Sequence, residues 1–199
     1  MREVEILVRL FENKEKVMRT LKRFELKEII TILDIYFYNP KSKKLLPDKR
    51  GVLKECFRLR KKVMIWPRKG HRSFLTYKKD LFEKSGKWLC SEEHEIEASD
   101  FQTAKEIVHH LGLTELIEIK NKRYVFNTPK YEIVFEDVEK LGLFLEVEYK
   151  HLKKRSIDSI KKDIWIFIES LNLRIGKELN EGKPALLLKK VGFGGKKNG

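Results

Sequence analysis

This sequence predicts an α+β domain, mainly β, in which antiparallel strands dominate and helices pack outside. About eight stretches rich in β-branched and aromatic residues alternate polar and apolar side chains with a period of two, the pattern of a half-buried strand. Most are joined by short connections carrying Gly, Pro or Asn, which favours antiparallel pairing. Three or so segments of helical period interrupt them. The 199 residues suffice for one well-packed domain, expected over residues 1–191 with a flexible basic tail at 192–199.

Residues 1–10 (MREVEILVRL) open the pattern, with Val4, Ile6, Val8 and Leu10 on one face and Glu3, Glu5, Leu7 and Arg9 on the other. Residues 13–24 read as an amphipathic helix capped by Asn13, with Val17, Leu21 and Phe24 along one stripe. Residues 29–38 (IITILDIYFY) form a well-buried strand, stopped by Asn39-Pro40, and a lysine-rich loop with Gly51 follows. Residues 53–62 are the next strand, with Cys56, Arg58 and Arg60 sharing a face. Residues 63–72, containing Pro67 and Gly70, read as a connection, and residues 73–79 as the return strand with Thr76 and Lys78 on one face. After a turn at Gly86, residues 88–98 place Glu93, Glu95 and Glu97 on a single face.

Ser99-Asp100 caps a helix at 101–111 that Gly112 ends. Residues 117–126 form a basic strand, residues 131–136 and 143–149 two more, and residues 151–173 a last helix.

The chain carries 44 Lys+Arg against 30 Asp+Glu, a net charge of +14 that points to an anionic partner. No apolar run approaches a membrane span, and the charged first strand leaves no expected signal peptide. Two isolated cysteines, Cys56 and Cys90, form neither a disulfide framework nor a zinc site, so a reduced cytoplasmic location is expected. Cys56 reads as a buried inert thiol, His109-His110 as surface or capping residues, and Trp66 and Trp88 as packing anchors. Lysine runs at 41–44, 61–62 and 189–197 read as solvated surface.

Which charges share a face is more informative. Arginines at i and i+2 aim two planar forks at one place, suited to phosphate. Carboxylates at the same spacing offer hard oxygen ligands for Mg²⁺ or Mn²⁺. A closed sheet of about eight strands, with both kinds of strand facing inward, can enclose one metal–polyphosphate complex. Glu93, Glu95 and Glu97 fit either a ligand role or a solvated face.

In chain order, these residues resemble the CYTH family of class IV adenylyl cyclases and thiamine triphosphatases, the triphosphate tunnel metalloenzymes. The matching stretches are Glu3-Val4-Glu5, then Asp34-Ile35-Tyr36-Phe37, Arg58-Leu59-Arg60 and Leu75-Thr76-Tyr77-Lys78. Glu93 to Phe101 follows, and then Val138-Glu139-Lys140-Leu141-Gly142-Leu143-Phe144-Leu145-Glu146-Val147-Glu148. Together they cover residues 1–173.

The resemblance implies an eight-stranded closed barrel or tunnel. It implies that Glu3, Glu5, Glu146 and Glu148 hold Mg²⁺ or Mn²⁺ and that Arg58, Arg60 and Lys78 grip a triphosphate. Glu3, Glu5, Arg58, Arg60, Lys78 and Glu148 would then be the catalytic set. On the basic strand the family pattern falls on Asn121 and Arg123, whereas an outward apolar face at Ile117 and Ile119 turns Lys120 and Lys122 inward; Lys122 and Arg123 are both retained.

Three positions depart from the family pattern: Leu7 stands where it has lysine, Glu136 where it has aspartate, and Asn121 where one register has lysine. Arg9, one pleat repeat on, is the candidate to fill the place beside Leu7. The expected activity is that of an adenylyl cyclase or a triphosphatase, on ATP, thiamine triphosphate or tripolyphosphate. The alternative is a non-catalytic module for polyphosphate or RNA 5′ ends. No membrane and no other nucleic-acid partner is expected, and the chain is read as a monomer or homodimer.

Overall fold

In the computed structural model, residues 2–42, 45–48, 53–84, 88–150 and 155–192 are described, with Arg2, Glu3 and Trp88 as backbone only. Gly51, Gly86, residues 151–154, positions 43–44 of the lysine runs and the tail from 193 on lie outside the described residues.

The first segment forms two short strands, Arg2–Glu3 (β1) and Glu5–Leu10 (β2). Glu25–Tyr38 (β3), Glu55–Trp66 (β4), Gly70–Phe82 (β5) and Trp88–Ala98 (β6) follow. Then come Thr114–Asn127 (β7), Tyr131–Val138 (β8), Gly142–Tyr149 (β9) and Ile175–Glu178 (β10). All ten join one antiparallel sheet in the order β1-β6-β5-β4-β3-β7-β8-β9-β2-β10, rather than the eight expected strands.

Nor is the sheet a closed ladder. β1 pairs with β6, while β2, beginning two residues later, pairs with β9 and β10. Between them, Val4 lends its carbonyl to the Tyr149 N–H at 3.1 Å and buries its side chain in the core. One bent segment therefore runs along both flanks of the sheet, and continuity of the chain brings them together.

The 63–72 connection is also shorter than expected. Val63 and Ile65 are β-branched and carry β4 on to Trp66, leaving only residues 67–69 as the turn into β5.

Four helices lie against this sheet: Lys14–Leu21 (α1), Phe101–His110 (α2), Ile157–Glu169 (α3) and Lys183–Lys190 (α4). Asn13, Asp100 and Ser156 each cap one with a side-chain oxygen that accepts from a backbone N–H three residues on. Gly112, at φ +80°, gives α2 a left-handed exit.

Period-two alternation sorts the strands' side chains into an outer and an inner set. Outside, Ile6, Val8, Phe135, Leu145 and Val147 pack against Val17, Leu21, Ile160, Ile164 and Ile168 of α1 and α3. A second outer cluster sets Ala104 and Val108 of α2 on Ile35, Phe37 and Leu59. The third is inside: Leu7, Tyr36, Leu53, Ile119, Val138, Leu141 and Phe144 meet Leu187 of α4, which stops one end of the interior with apolar surface.

Because Leu145 is completely buried in the largest cluster, Leu145→Ala is expected to lower the unfolding free energy by about 2–5 kcal/mol in urea titrations. A loss under ~1 kcal/mol would mean that this face does not carry the core.

Candidate active site

The inner faces enclose a cavity of about 290 Å³ lined by eight carboxylates and six cationic side chains. Alternation places them there two residues apart: Arg58, Arg60 and Lys62 on β4, Lys78 and Asp80 on β5, Glu93 and Glu95 on β6, Glu146 and Glu148 on β9. Glu5 of β2, Asp34 of β3, Arg123 of β7 and Glu132 of β8 complete the strand contribution. Thus Glu5, Arg58, Arg60, Lys78, Arg123, Glu146 and Glu148, expected from the sequence, come together. The side chain of Glu3 lies outside the described residues; its backbone pairs with Ser91 at one edge.

These charges are extensively paired. Asp34 receives Nε and Nη2 of Arg60, both at 2.7 Å, a two-point contact in a buried place. Burial pushes the Asp34 carboxyl up, but Arg60 and Arg58 outweigh it and hold it well below the usual carboxylate range. Arg58 donates Nη2 to Glu93 at 3.1 Å and lies 3.8 Å from Glu95, which accepts from the Thr76 hydroxyl at 2.9 Å. Its buried Nε has no hydrogen-bond partner among the described residues. Lys78 Nζ is 3.6 Å from Glu93; burial works against its charge, but Glu5 and Glu93 prevail and raise its pKa. Glu93 and Glu95 therefore orient an arginine, and neither is merely a solvated face.

A second group sits on the far wall. Arg123 and Lys183 both form ion pairs with the fully buried Glu136, and Asn121 donates Nδ2 to it at 3.3 Å. Lys183 also reaches Glu146 at 2.8 Å. Burial alone would raise the Glu146 pKa, and Lys183 with Arg123 drives it below the ordinary value instead.

Lys183 is a cavity residue that the sequence patterns do not reveal, as are Lys62, Asp80 and Glu132. It is the first residue of α4, where a positive charge opposes the helix dipole, so the motif Gly182-Lys183-Pro184 gives no hint of an inward lysine. Glu136 and Glu146 compensate. In the β2–β9 register Leu7 lies opposite Glu146, so the cation beside Leu7 comes from α4.

Arg9 does not fill that place: its guanidinium lies 5.2 Å over the Phe144 ring and does not line the cavity. Lys122 is likewise outside, over the Tyr124 ring and lining an outer groove with Lys120. The alternation reading of β7 is thereby corrected. Ile117 and Ile119 face inward, into the apolar plug, and carry Asn121 and Arg123 to the inner face. Cys56 lines the cavity, and burial pushes its thiol up to about 11 despite Arg58, consistent with an inert group.

The acidic wall has its own geometry. Glu148 stands directly opposite Glu5 on one side and Glu132 on the other. Like charges in cross-strand register repel, and Lys27, paired with Glu132 at 2.9 Å, relieves part of that cost. Among the described residues no three carboxylate, thiol or imidazole groups converge closely enough to hold an ion alone. No helix among them is long and apolar enough to cross a membrane.

Residues 1–179 match the family model described as CYTH domain. A Methanocaldococcus jannaschii protein named "Putative adenylate cyclase MJ0240" is 29% identical over 173 residues, 86% of this chain and 90% of that one. The solved structure of PH1819 from Pyrococcus horikoshii superposes with a TM-score of 0.75 at 22% identity, over 94% of this chain and 99% of the other. A Hippeastrum candidate adenylyl cyclase described as having a dominant triphosphatase activity gives 0.65 at 15% identity, over 96% of each chain.

The Asp34–Arg60 pair makes a pH-resolved prediction. Since the folded Asp34 is the more acidic form, its contribution is complete above the unfolded carboxylate pKa and is lost as pH falls through the folded one. Asp34→Asn should cost about 3–5 kcal/mol at neutral pH by stranding Arg60. That gap should hold down to about pH 4 and narrow only below it, as urea titrations at several pH values would record.

Proposed function

The chain belongs to the CYTH family, and from that premise we propose that it is a divalent-metal-dependent enzyme acting on a triphosphate. Its reaction is either class IV adenylyl cyclase-like, ATP going to cyclic AMP and pyrophosphate, or the hydrolysis of thiamine triphosphate or tripolyphosphate. The observation that carries the reading is one cavity that gathers Arg58, Arg60, Lys78 and Arg123 together with Glu5, Glu146 and Glu148.

The roles follow from the contacts. Arg60, fixed by Asp34 through Nε and Nη2, keeps Nη1 for a phosphate oxygen. Arg58 brings to the same face a buried Nε that has no hydrogen-bond partner among the described residues. Lys78 and Arg123 add charge from the neighbouring strands, holding the phosphate chain in one orientation.

Among the described residues, eight carboxylates line this cavity against six cations, a balance that opposes a triphosphate alone. The donor set fits a hard divalent cation: Glu5 and Glu148, opposite each other on β2 and β9, would hold Mg²⁺ or Mn²⁺ together with phosphate oxygens, while Glu132 is paired with Lys27 at 2.9 Å. Bound there, the ion supplies charge neutralisation and polarises the phosphoryl group.

In the cyclase reaction the ribose 3′-oxygen attacks the α-phosphorus and pyrophosphate leaves; in the triphosphatase reaction water attacks the terminal phosphorus. Both need positioning and charge stabilisation more than a covalent nucleophile. A second reading, a polyanion-binding module without catalysis, is favoured by one contact: Lys183 already neutralises Glu146, a carboxylate expected to hold metal.

Incubation with ATP, tripolyphosphate or thiamine triphosphate and Mn²⁺ separates the outcomes. Cyclic AMP with pyrophosphate marks a cyclase and free phosphate a triphosphatase, and either should vanish with a chelator. Tight binding with no turnover would leave the module.

A pair of variants tests the wall beside Leu7. Lys183→Met, which leaves the buried Glu136 and Glu146 without their shared cation, should reduce kcat/KM about tenfold or more by disturbing the wall those carboxylates form. Arg9→Ala, outside the cavity, should change it less than about threefold. The reverse ranking would return the role to Arg9.

A further inference from the structure

Among the described residues, five of the six cations lining the cavity have a carboxylate within 4 Å: Arg58, Arg60, Lys78, Arg123 and Lys183. Lys62 has none. Its Nζ lies 4.9 Å over the Phe74 ring, a contact that steadies an ammonium without neutralising it. Burial, with Arg60 and Arg123 adding repulsion, lowers its pKa, while Glu95 and Glu28 act the other way from beyond ion-pair distance. A cavity-lining ammonium with no carboxylate within 4 Å among the described residues is where a negative group gains most.

Its position defines what that group is. Lys62 is the third inward residue of β4 after Arg58 and Arg60. Same-face residues on a strand lie ~6.6 Å apart, so Lys62 stands one pleat repeat beyond Arg60 on the side away from Arg58. A chain gripped at Arg58 and Arg60 brings charge toward Lys62 when it is one phosphoryl group longer.

We propose that Lys62 forms a subsite for a fourth phosphoryl group, so that the cavity takes a linear chain of four phosphates in preference to three. This rests on the triphosphate reading above and extends it along β4.

Calorimetric titration of the full chain with tripolyphosphate and with tetrapolyphosphate, each with Mg²⁺, tests it. The wild type should bind the longer chain about tenfold more tightly, the scale of one charge-assisted contact. Lys62→Gln should bring that ratio close to one, and Lys62→Arg should retain most of it. Lys177→Gln, which removes an equal charge from an exposed place on β10, should leave the ratio as it was. A wild-type ratio near one, or a ratio that survives Lys62→Gln in a folded protein, overturns the subsite while leaving the triphosphate reading standing. Failure to bind either chain removes that reading, and the subsite with it.

Discussion

A charged side chain taken out of water must be offset within a few ångströms, and the interior of this sheet is arranged around that demand. Asp34 answers Arg60 between β3 and β4, Glu93 answers Arg58 and Lys78 between β4, β5 and β6, and Glu136 answers Arg123 and Lys183 between β8, β7 and α4. Such pairs are poor sources of stability compared with apolar packing of the same volume. Stability falls to the two outer clusters under α1, α3 and α2. The inner network is thereby freed to fix where each fork and carboxylate points. The sheet is a wall with two faces of different purpose, and the period of two keeps them separate.

That period is why so much could be read without coordinates. Glu5, Arg58, Arg60, Lys78, Glu146 and Glu148 were assigned to one face by alternation and motif, and all line the cavity. The basic strand β7 misled because its interior was expected to be polar throughout. Part of it is apolar, so Ile117 and Ile119 are inward residues and their parity carries Arg123, not Lys122, inside. Strand β10, four residues with a glycine, carries too little alternation to register as a strand. The split at Val4 depends on two distant partners, β6 and β9, and no local pattern encodes it.

Lys183 belongs to the same class of hidden feature, and Leu7 explains it. With an apolar side chain in the inner wall, Leu7 joins Ile119, Phe144 and Val138 in a surface that has to be covered. Helix α4 covers it with Leu187, and its first turn brings Lys183 against Glu136 and Glu146. The loss of a charge from a strand and the arrival of one from a helix are two sides of a single packing solution. Short-range sequence patterns see only the first.

The bent first segment has a consequence for how the molecule assembles. β2 pairs with β9 and β10, and β1 with β6, so this segment waits for partners that lie much later in the sequence. Contacts of such large sequence separation close late and slowly, because loop entropy is spent before they are rewarded. The hairpins β4–β5, β7–β8 and β8–β9 have short connections and can form early, but Glu5 comes to stand beside Glu148 only when this stitch is made. The cavity is thus closed on its last side after the strands that carry Arg58, Arg60 and Glu146 have already paired.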